Sequence, residues 1–346
     1  MKVSVANQPI RTGDSIDPQV DSSIPRAPQP GMTALVTGVA GFIGSTLAER
    51  LIASGAHVVG IDCFADYYPR ELKEQNLASL QTHPRFRFIE STIQAADLPT
   101  ILSDITHVFH LAAQAGVRKS WGRDFSVYTV NNVEATQVLL EACVGRPIER
   151  LVYASSSSVY GDNVPMPMRE DAALQPVSPY GVTKLAAEQL CYLYCVNHGV
   201  PTVALRYFTV YGPRQRPDMG FNKFLQATLM GKPITVFGDG QQTRDFTFVE
   251  DAVKATMAAA TRGVPGRVYN IGGGSRVTVN EVLEIIGRVT GRTPLVSVEQ
   301  DQKGDMRHTY ADTERARTDL GFAASVNLEQ GLAAEHAWLK RTLDRL

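Results

Sequence analysis

The sequence predicts an α/β fold in which a doubly wound parallel sheet is combined with a smaller, interleaved C-terminal substrate domain. Short apolar strands alternate with helical patterns from Met32 onward, and such alternation is typical of a parallel sheet covered by helices on both faces. The first strand runs into a turn with a glycine at every third position, and the next strand ends in an aspartate. These features predict a ligand site at the carboxyl ends of the strands.

The predicted elements follow one another along the whole first half of the chain. Strands are predicted at residues 57–62, 86–89, 107–111, 151–155 and 202–207, and helices at residues 45–54, 130–144 and 180–197. After about residue 210, glycine and proline become frequent and the elements shorten. We therefore expect a nucleotide-binding domain over residues 32–200, with strands returning from the C-terminal half, and a mainly substrate-binding domain over residues 201–346.

The leader and the composition limit the possible classes of protein. Residues 1–31 are polar and interrupted by five prolines, a composition that predicts a disordered leader. With 34 basic and 35 acidic residues the net charge is −1, which gives no support for a nucleic-acid or membrane-surface partner. No apolar run approaches the ~20 residues of a membrane helix. Four cysteines without C-x-x-C spacing favour the cytoplasm.

The glycine turn has the spacing of a dinucleotide-binding site. Gly38 permits a tight turn, Gly41 lets backbone amides approach a pyrophosphate, and Gly44 lets the next helix pack on the sheet. The pyrophosphate is expected at the N-terminus of that helix. Asp62 suits the hydroxyls of an unphosphorylated ribose and would repel a 2′-phosphate. An isolated glycine triplet fits a structural turn equally well, but this context predicts a Rossmann-type site for NAD rather than NADP.

Tyr180 and Lys184 form the candidate acid–base pair. Ser178 can cap a helix whose first residue is Pro179, so Tyr180 falls in the first turn. Lys184 stands four residues later, on the same face. A free phenol titrates near ~10, and a neighbouring ammonium together with the positive nicotinamide ring would lower that pKa. The same spacing also occurs on ordinary amphipathic helices, where it carries no chemistry.

A run of serines favours the catalytic interpretation of this pair. Ser155 to Ser158 follow a buried strand, which places hydroxyl groups at the sheet edge where doubly wound folds bind ligands. The alternative is a linker or turn that is merely rich in serine. The seven histidines form no ligand cluster, so no metal site is predicted.

These motifs, in this order, resemble the extended short-chain dehydrogenase/reductase family of nucleotide-sugar enzymes. The resemblance rests on the glycine turn, the segment His110–Ala113, the serine run and the Tyr-x-x-x-Lys pair, and it extends from about residue 33 to the C-terminus. It implies a tightly held NAD. It also implies that Tyr180 takes a proton from a sugar hydroxyl, that Ser156 hydrogen-bonds the reacting oxygen, and that Lys184 binds the nicotinamide ribose and tunes Tyr180.

The serine run distinguishes among the reactions of that family. Its sugar 4,6-dehydratases carry Thr-Asp-Glu where this chain has Ser156, Ser157 and Ser158. Its UDP-glucuronate decarboxylases carry a glutamate at the last of these positions, so decarboxylation is a less favoured alternative. What remains is 4-epimerisation through a transient 4-keto sugar, without net redox.

Two further segments indicate the sugar. Residues 113–118 and 206–219 are similar to those of UDP-glucuronate 4-epimerases, whereas hexose 4-epimerases typically have asparagine in place of Thr209. Oxidation at C4 of a glucuronide makes a β-keto acid that loses CO2 readily, and an arginine fork can hold its carboxylate still. We therefore expect Arg216 and Thr209 to bind the carboxylate. The alternatives are that Arg214 and Arg216 are solvated or bind the pyrophosphate, and that the substrate is UDP-glucose or a UDP-N-acetylhexosamine.

The resemblance implies further contacts by position. Those expected for the substrate are Gly116, Val117, Arg118, Ser157, Ser158, Val236, Phe237, Arg244 and Asp305, and those expected for the cofactor are Phe42, Ile43, Leu111, Ala112, Ala113, Asn131 and Tyr207. Val236 and Phe237 would line the uracil. Arg244 would bind the diphosphate, and Asp305 would meet the uridine ribose.

The resemblance also implies a homodimer, because the helices at residues 130–144 and 180–197 match a pair that forms a four-helix bundle between subunits in many relatives. The rival to an enzyme is a non-catalytic NAD-binding regulator with the same fold. The intact set of Ser156, Tyr180 and Lys184 argues against that rival.

Overall fold

A computed structural model describes residues 31–300, 304 and 306–343 of the chain. The strands are β1 (Thr33–Thr37), β2 (His57–Asp62), β3 (Phe86–Glu90), β4 (His107–His110), β5 (Arg150–Ser156), β6 (Thr202–Tyr207), β7 (Val210–Tyr211), β8 (Pro233–Phe237), β9 (Thr243–Asp245), β10 (Thr247–Phe248), β11 (Val268–Ile271), β12 (Arg276–Thr278) and β13 (Leu295–Glu299). The helices are α1 (Phe42–Ala53), α2 (Arg70–Gln81), α3 (Leu98–Ile101), α4 (Phe125–Tyr128), α5 (Ala135–Cys143), α6 (Pro179–His198), α7 (Gly220–Met230), α8 (Val249–Arg262), α9 (Val279–Thr290), α10 (Glu314–Leu320) and α11 (Leu328–Leu343).

The central sheet confirms the predicted fold class. Its seven strands lie in the order β11-β6-β5-β4-β1-β2-β3, and every neighbouring pair is parallel. The connections reverse direction between β1 and β4, so a crevice opens at the carboxyl ends of these two strands. In open parallel sheets this switch point is where ligands bind.

Both faces of the sheet are buried, as a parallel sheet requires. Neighbouring residues of a strand point to opposite faces, and so Leu35 and Val36 of β1 belong to different core clusters. Helices α1 and α8 cover one face and contribute Leu47 and Val253. Helices α3, α5 and α6 cover the other face, where Leu139 is fully buried.

The C-terminal half contributes to the central sheet as well as to structure outside it. Strands β6 and β11 complete one edge of the sheet, while β7 with β10, β9 with β12, and β8 with β13 form separate pairs. The domain boundary near residue 200 stays a prediction. The predicted leader, apart from Gly31, lies outside the described residues.

Two predicted helices differ in detail from the structure. Helix α1 starts at Phe42 rather than at residue 45, because Gly41 has an extended conformation (φ −76°, ψ 176°) and acts as its N-cap. The helix predicted at residues 130–144 begins with a π-helical segment, Thr129–Glu134, before α5. Periodicity cannot reveal such a segment, and π turns are frequent at functional sites.

Candidate active site

The glycine turn forms a cradle that side chains would fill. Gly38 has φ +72°, and a Cβ at this position would lie 2.8 Å from the amide nitrogen of Ala112. A Cβ on Gly44 would overlap the carbonyl oxygen of Gly38. Only glycine therefore allows α1 to begin so close to β1. Gly41 provides no side-chain cap, which leaves the first amides of α1 available to an anion.

Asp62 lies beside this cradle at the end of β2. Its Oδ2 accepts a hydrogen bond from the Ala40 amide (3.0 Å), and its Oδ1 accepts one from the Phe64 amide (2.9 Å). Burial raises the pKa of Asp62, and these backbone hydrogen bonds oppose the rise. The carboxylate is thus fixed next to the turn, where a ribose would follow the pyrophosphate of a dinucleotide. The residues present fit NAD.

The end of β4 forms the opposite wall of the cradle. Thr37 Oγ1 is hydrogen-bonded to His110 Nδ1 (2.8 Å) and accepts from the Ala112 amide (3.1 Å). His110 Nε2 lies 2.9 Å from Thr136 Oγ1 of α5. Burial lowers the pKa of His110 to about 3, so the imidazole is neutral. These bonds hold the segment from Leu111 to Ala113 against Gly38.

Tyr180 lies at the mouth of this crevice, in the first turn of α6. Ser178 caps the helix by accepting from the Gly181 amide (3.1 Å). A Cβ on Gly181 would overlap the Ser158 carbonyl oxygen, so the glycine after Tyr180 allows α6 to pack directly on the serine turn. That packing brings the Ser156 hydroxyl close enough to Tyr180 to lower the pKa of the phenol.

Burial dominates the electrostatics of this pair. It raises the pKa of Tyr180, and the charge of Arg216, followed by the contact with Ser156, lowers it in part. The net direction is upward for the protein's own groups, so the expected lowering by the ammonium and the nicotinamide together stays a prediction. Burial also lowers the pKa of Lys184 to about 7. Its Nζ stands 4.5 Å from the centre of the Tyr153 ring.

Arg216 lies close to Tyr180, together with two residues that sequence reasoning missed. Its Nε and Nη2 donate to Oδ1 and Oδ2 of Asp218 (2.9 and 3.0 Å). Tyr67, from the loop after β2, donates its hydroxyl proton to Asp218 Oδ2 (3.2 Å). Arg214 instead pairs with Glu49 of α1 (2.8 Å). The two arginines thus have different partners in the structure.

Tyr128 is a third residue that the sequence did not single out. Its ring meets that of Tyr180 edge-on, with the centroids 6.2 Å apart. Its hydroxyl donates to the carbonyl oxygens of Ala115 (3.0 Å) and Gly116 (2.7 Å). Gly116 has φ +101°, and a Cβ there would overlap the Tyr67 hydroxyl. The pair Tyr67-Tyr68 soon after Asp62 was an available signal for this aromatic wall.

Of the other expected substrate residues, Val236 and Phe237 lie on β8, and Arg118 contacts that strand. The Arg118 guanidinium stacks over Phe237, 4.3 Å from the ring centre. Val236 packs into a small core with Ile234 and Leu283, so Phe237, on the opposite face of β8, is the better placed of the two to meet a base.

Two expected diphosphate and ribose contacts have different outcomes. Arg244 donates its Nη1 to the carbonyl oxygens of Thr243 (2.9 Å) and Arg307 (3.1 Å). Asp305 lies outside the described residues. Thr209 is half-buried. Its carbonyl oxygen accepts from the Thr247 amide, and its hydroxyl has no hydrogen-bond partner among the described residues.

The remaining cofactor candidates differ in how deeply they are buried. Phe42 is buried in the core and Ile43 packs against it. Asn131 is half-buried, whereas the neighbouring Asn132 is fully buried and bonds the Gln114 backbone in both directions (2.7 and 3.1 Å). The hydroxyl of Tyr207 is bonded to Thr256 (2.6 Å), so only its ring could face a cofactor.

Metal-ligand clusters and membrane-spanning helices are both absent from the described part of the chain. Within residues 31–300, 304 and 306–343, no three His, Cys, Asp or Glu side chains come together as a metal site. No helix in the same ranges is long and apolar enough to cross a membrane.

Comparisons with known proteins agree with this geometry. The profile of the family described as "NAD dependent epimerase/dehydratase family" matches residues 34–272. The chain is 45% identical over 312 residues to an uncharacterized UDP-glucose epimerase of Bacillus subtilis, covering 89% of this chain and 98% of that one. It is 38% identical over 315 residues to the UDP-glucuronate 4-epimerase of Thermodesulfobacterium geofontis, covering 90% and 97%.

A solved structure extends the likeness over the whole fold. The UDP-glucuronic acid 4-epimerase from Bacillus cereus, in complex with UDP-glucuronic acid and NAD, superimposes with a TM-score of 0.88 at 44% identity. The match covers 90% of this chain and 100% of that one.

Proposed function

Because the chain belongs to the NAD dependent epimerase/dehydratase family, we propose that it interconverts UDP-glucuronate and UDP-galacturonate by epimerisation at C4. The reaction passes through a transient 4-keto sugar and has no net redox. The observation that carries this choice is the arrangement of the Arg216 fork beside a Ser156–Tyr180 pair, in a serine turn without carboxylates. The likeness to the Bacillus cereus UDP-glucuronic acid 4-epimerase supports it.

The cofactor side of the site suits a tightly held NAD. The amides at the start of α1 would bind the pyrophosphate, and Asp62 would bind the adenosine ribose. Lys184, whose Nζ lies under the crevice against Tyr153, would bind the nicotinamide ribose. NAD supplies the acceptor for the hydrogen removed from C4 and the donor for its return.

Tyr180 acts as the acid–base group. Its phenolic oxygen takes the proton from the C4 hydroxyl and returns it after the sugar has turned, while Ser156 donates to the reacting oxygen. Because burial raises the pKa of Tyr180, positive charge nearby is needed to make the phenol a base near neutral pH. Arg216 provides part of that charge, and a protonated Lys184 would add to it.

The sugar side explains why neither water nor CO2 is lost. A 4,6-elimination needs an acid to move protons at C5 and C6, and the turn offers only the hydroxyls of Ser157 and Ser158. The 4-keto uronate would lose CO2 if its carboxylate rotated out of the carbonyl plane. Arg216 and Thr209 bind the carboxylate and restrain that rotation.

The direct test is turnover of UDP-glucuronate by the purified protein, followed by proton NMR. The expected product is the galacturonate isomer, formed without added NAD if the cofactor co-purifies. Accumulation of only UDP-xylose or a UDP-4-keto-pentose would contradict the role of the carboxylate clamp.

A second candidate is a 4-epimerase of neutral sugars, UDP-glucose or a UDP-N-acetylhexosamine. The Bacillus subtilis relative named as a UDP-glucose epimerase favours it. The two candidates differ in Arg216, which has no carboxylate to bind in a neutral sugar. A substrate panel assayed with wild-type protein and the Arg216→Ala variant separates them, because loss confined to UDP-glucuronate supports the first.

The exposed face of α6 supports a homodimer. Val182, Leu193 and Val196 are 47%, 49% and 57% exposed, and they share one side of the helix. Phe125 and Val130, before α5, are also exposed. We propose that these surfaces pair in a four-helix bundle around a two-fold axis. Light scattering should give twice the chain mass for wild type, and a Leu193→Glu, Val196→Glu variant should give the monomer.

The cytoplasm is the compartment that suits this activity. All four cysteines lie in the described part of the chain and are unpaired, as is usual where glutathione keeps thiols reduced. Fractionation of the cells that produce the protein tests this placement.

A further inference from the structure

Asp218 binds only one edge of the Arg216 guanidinium, the edge formed by Nε and Nη2. Its two oxygens accept from Nε and Nη2, which is the side-on geometry of a bidentate pair. Arginine has five N–H donors in a fixed plane. The side-on pair therefore leaves the end of the fork, at Nη1 and the second hydrogen of Nη2, for another acceptor. Among the described residues, Nη1 has no hydrogen-bond partner.

A residue from a distant part of the chain supports this pair. The Arg216 and Asp218 side chains are 20% and 28% exposed, and Tyr67, in the loop after β2, donates a hydrogen bond to the carboxylate. The guanidinium also lies over the Tyr67 ring, 5.7 Å from its centre. A carboxylate, a phenol and an aromatic face thus determine where the fork points.

A second arginine in the chain shows how a pair with the same spacing looks without such support. Arg169 and Asp171 are also two residues apart and also paired (Nε to Oδ1, 3.1 Å). Their side chains are 62% and 61% exposed, and an exposed pair of this kind contributes little. The comparison indicates that burial and Tyr67 distinguish the pair at the site.

We propose that Asp218 is a positioning residue that selects uronate substrates, by holding the side of Arg216 so that the end of its fork binds the sugar carboxylate. The inference rests on the proposed function and deepens it. A fork held on one side can bind a carboxylate only in one plane, which is the restraint that a 4-keto uronate requires.

The electrostatics of the site agree with this role. Burial opposes ionisation of Asp218, but the hydrogen bonds and charge of Arg216 lower its pKa overall, so the pair is ionised at neutral pH. The Arg216–Asp218 pair is neutral in sum, so the pair adds no net charge that would attract every anion equally. Selectivity comes from the geometry of the remaining donors rather than from net positive charge.

The test is the Asp218→Asn variant of the NAD-loaded enzyme. Asparagine keeps the size of the side chain but offers only one acceptor oxygen, so the fork loses its fixed plane. We expect kcat/KM for UDP-glucuronate to fall about 10–100-fold, mainly through KM, because one charge-assisted pair is lost. The dissociation constant of UDP-glucose, measured by calorimetry, should change less than ~2-fold.

A second readout reports the restraint itself. Loss of CO2 breaks the C5–C6 bond, places its electron pair in an enolate of the C4 ketone, and ends with a proton at C5. The hydride taken from C4 would stay on the nicotinamide, so each release of the ketone would leave one equivalent of bound NADH. The fraction of turnovers that end in a UDP-4-keto-pentose, measured by NMR, should rise in Asp218→Asn. A residue that merely stabilised the fold would lower the total rate without changing this fraction.

Three further variants complete the design. Asp171→Asn, which removes the matched exposed carboxylate, should leave all of these quantities unchanged. Asp218→Glu should restore part of the preference for UDP-glucuronate. Tyr67→Phe should move the preference in the same direction as Asp218→Asn but less, and it keeps the inference testable if Asp218→Asn does not fold.

The outcomes separate the inference from the proposed function. If wild type binds UDP-glucuronate but Asp218→Asn weakens both sugars equally, or binds the uronate more tightly, the positioning role is wrong. If wild type binds UDP-glucuronate no better than UDP-glucose and does not epimerise it, the proposed function fails. The binding comparison between variants still decides whether Asp218 discriminates between the two ligands.

Discussion

The two sides of the crevice are built in different ways. On the cofactor side, the decisive features belong to the backbone: glycines that leave no room for a Cβ, and the free amides at the start of α1. On the sugar side, side chains from distant segments meet, as Tyr67 does with Asp218. The backbone cradle tolerates almost no substitution because backbone cannot move aside. In the side-chain cluster, by contrast, a single substitution can change one contact and leave the others in place.

Tyr180, at the junction of the two sides, should give the largest effect. We expect Tyr180→Phe to lower kcat at least ~100-fold, the usual range for losing general acid–base catalysis. NAD should remain bound, because the cradle is untouched, and the absorbance of the purified protein reports it. Tyr192→Phe, which removes a hydroxyl from an exposed tyrosine of the same helix, is the control. Near-normal turnover by Tyr180→Phe would refute the assigned role.

Gly44→Ala tests the claim that the cradle is fixed by backbone. The added Cβ would overlap the Gly38 carbonyl oxygen, so the turn must shift, at a cost of about 1–3 kcal/mol of stability. We expect a lower Tm and loss of most of the co-purified NAD. Gly220→Ala is the matched control, because nothing lies within 4 Å of a Cβ there. Full NAD content in Gly44→Ala would show that the turn can adapt.

Arg216→Ala tests whether substrate binding can change while the cradle still holds NAD. Since Arg216 lowers the pKa of Tyr180, its removal should raise that pKa further and move the ascending limb of the pH–rate profile to higher pH. KM for UDP-glucuronate should rise about 10–100-fold, with NAD content unchanged. Arg214→Ala, which instead breaks a pair with Glu49 and a hydrogen bond to Ser45 of α1, should shift neither the pH profile nor KM. A shift in Arg214→Ala alone would reassign the clamp.

Glu335 should give the smallest effect, on stability alone. Its Oε2 accepts from the Gly212 amide (2.8 Å) at the start of the loop that carries Arg216. Burial raises its pKa from 4.5 to about 8. The folded chain therefore binds this proton more tightly than the unfolded chain, and the contribution to stability, complete below pH 4.5, is lost as the pH rises through about 8.

The Glu335→Gln variant removes that proton and keeps the acceptor. Compared with wild type, its Tm should be higher by roughly 3 °C at pH 9 and similar at pH 5. Thermal unfolding followed by circular dichroism across this range is the measurement. Parallel curves for the two proteins would mean that Glu335 does not titrate on unfolding.

The cofactor side shows what a sequence can reveal about a site. The spacing of Gly38, Gly41 and Gly44 and the carboxylate at Asp62 predict the cradle because each acts through local backbone geometry. The same holds for Tyr180 and Lys184, whose separation along one helix fixes their common face. Gly181 could have been found in this way, since a glycine in the first turn of a helix needs a reason.

The sequence by itself determined the parallel sheet, the glycine turn and the family, because these follow from periodicity and from short motifs with fixed local geometry. Only the tertiary structure shows that Arg216 pairs with Asp218, that Tyr67 bonds the same carboxylate, and that Arg214 pairs with Glu49 of α1 instead. Only the structure also shows that burial raises the pKa of Tyr180, since burial depends on everything packed around a side chain. Contacts between segments more than a hundred residues apart leave no local pattern in a single sequence.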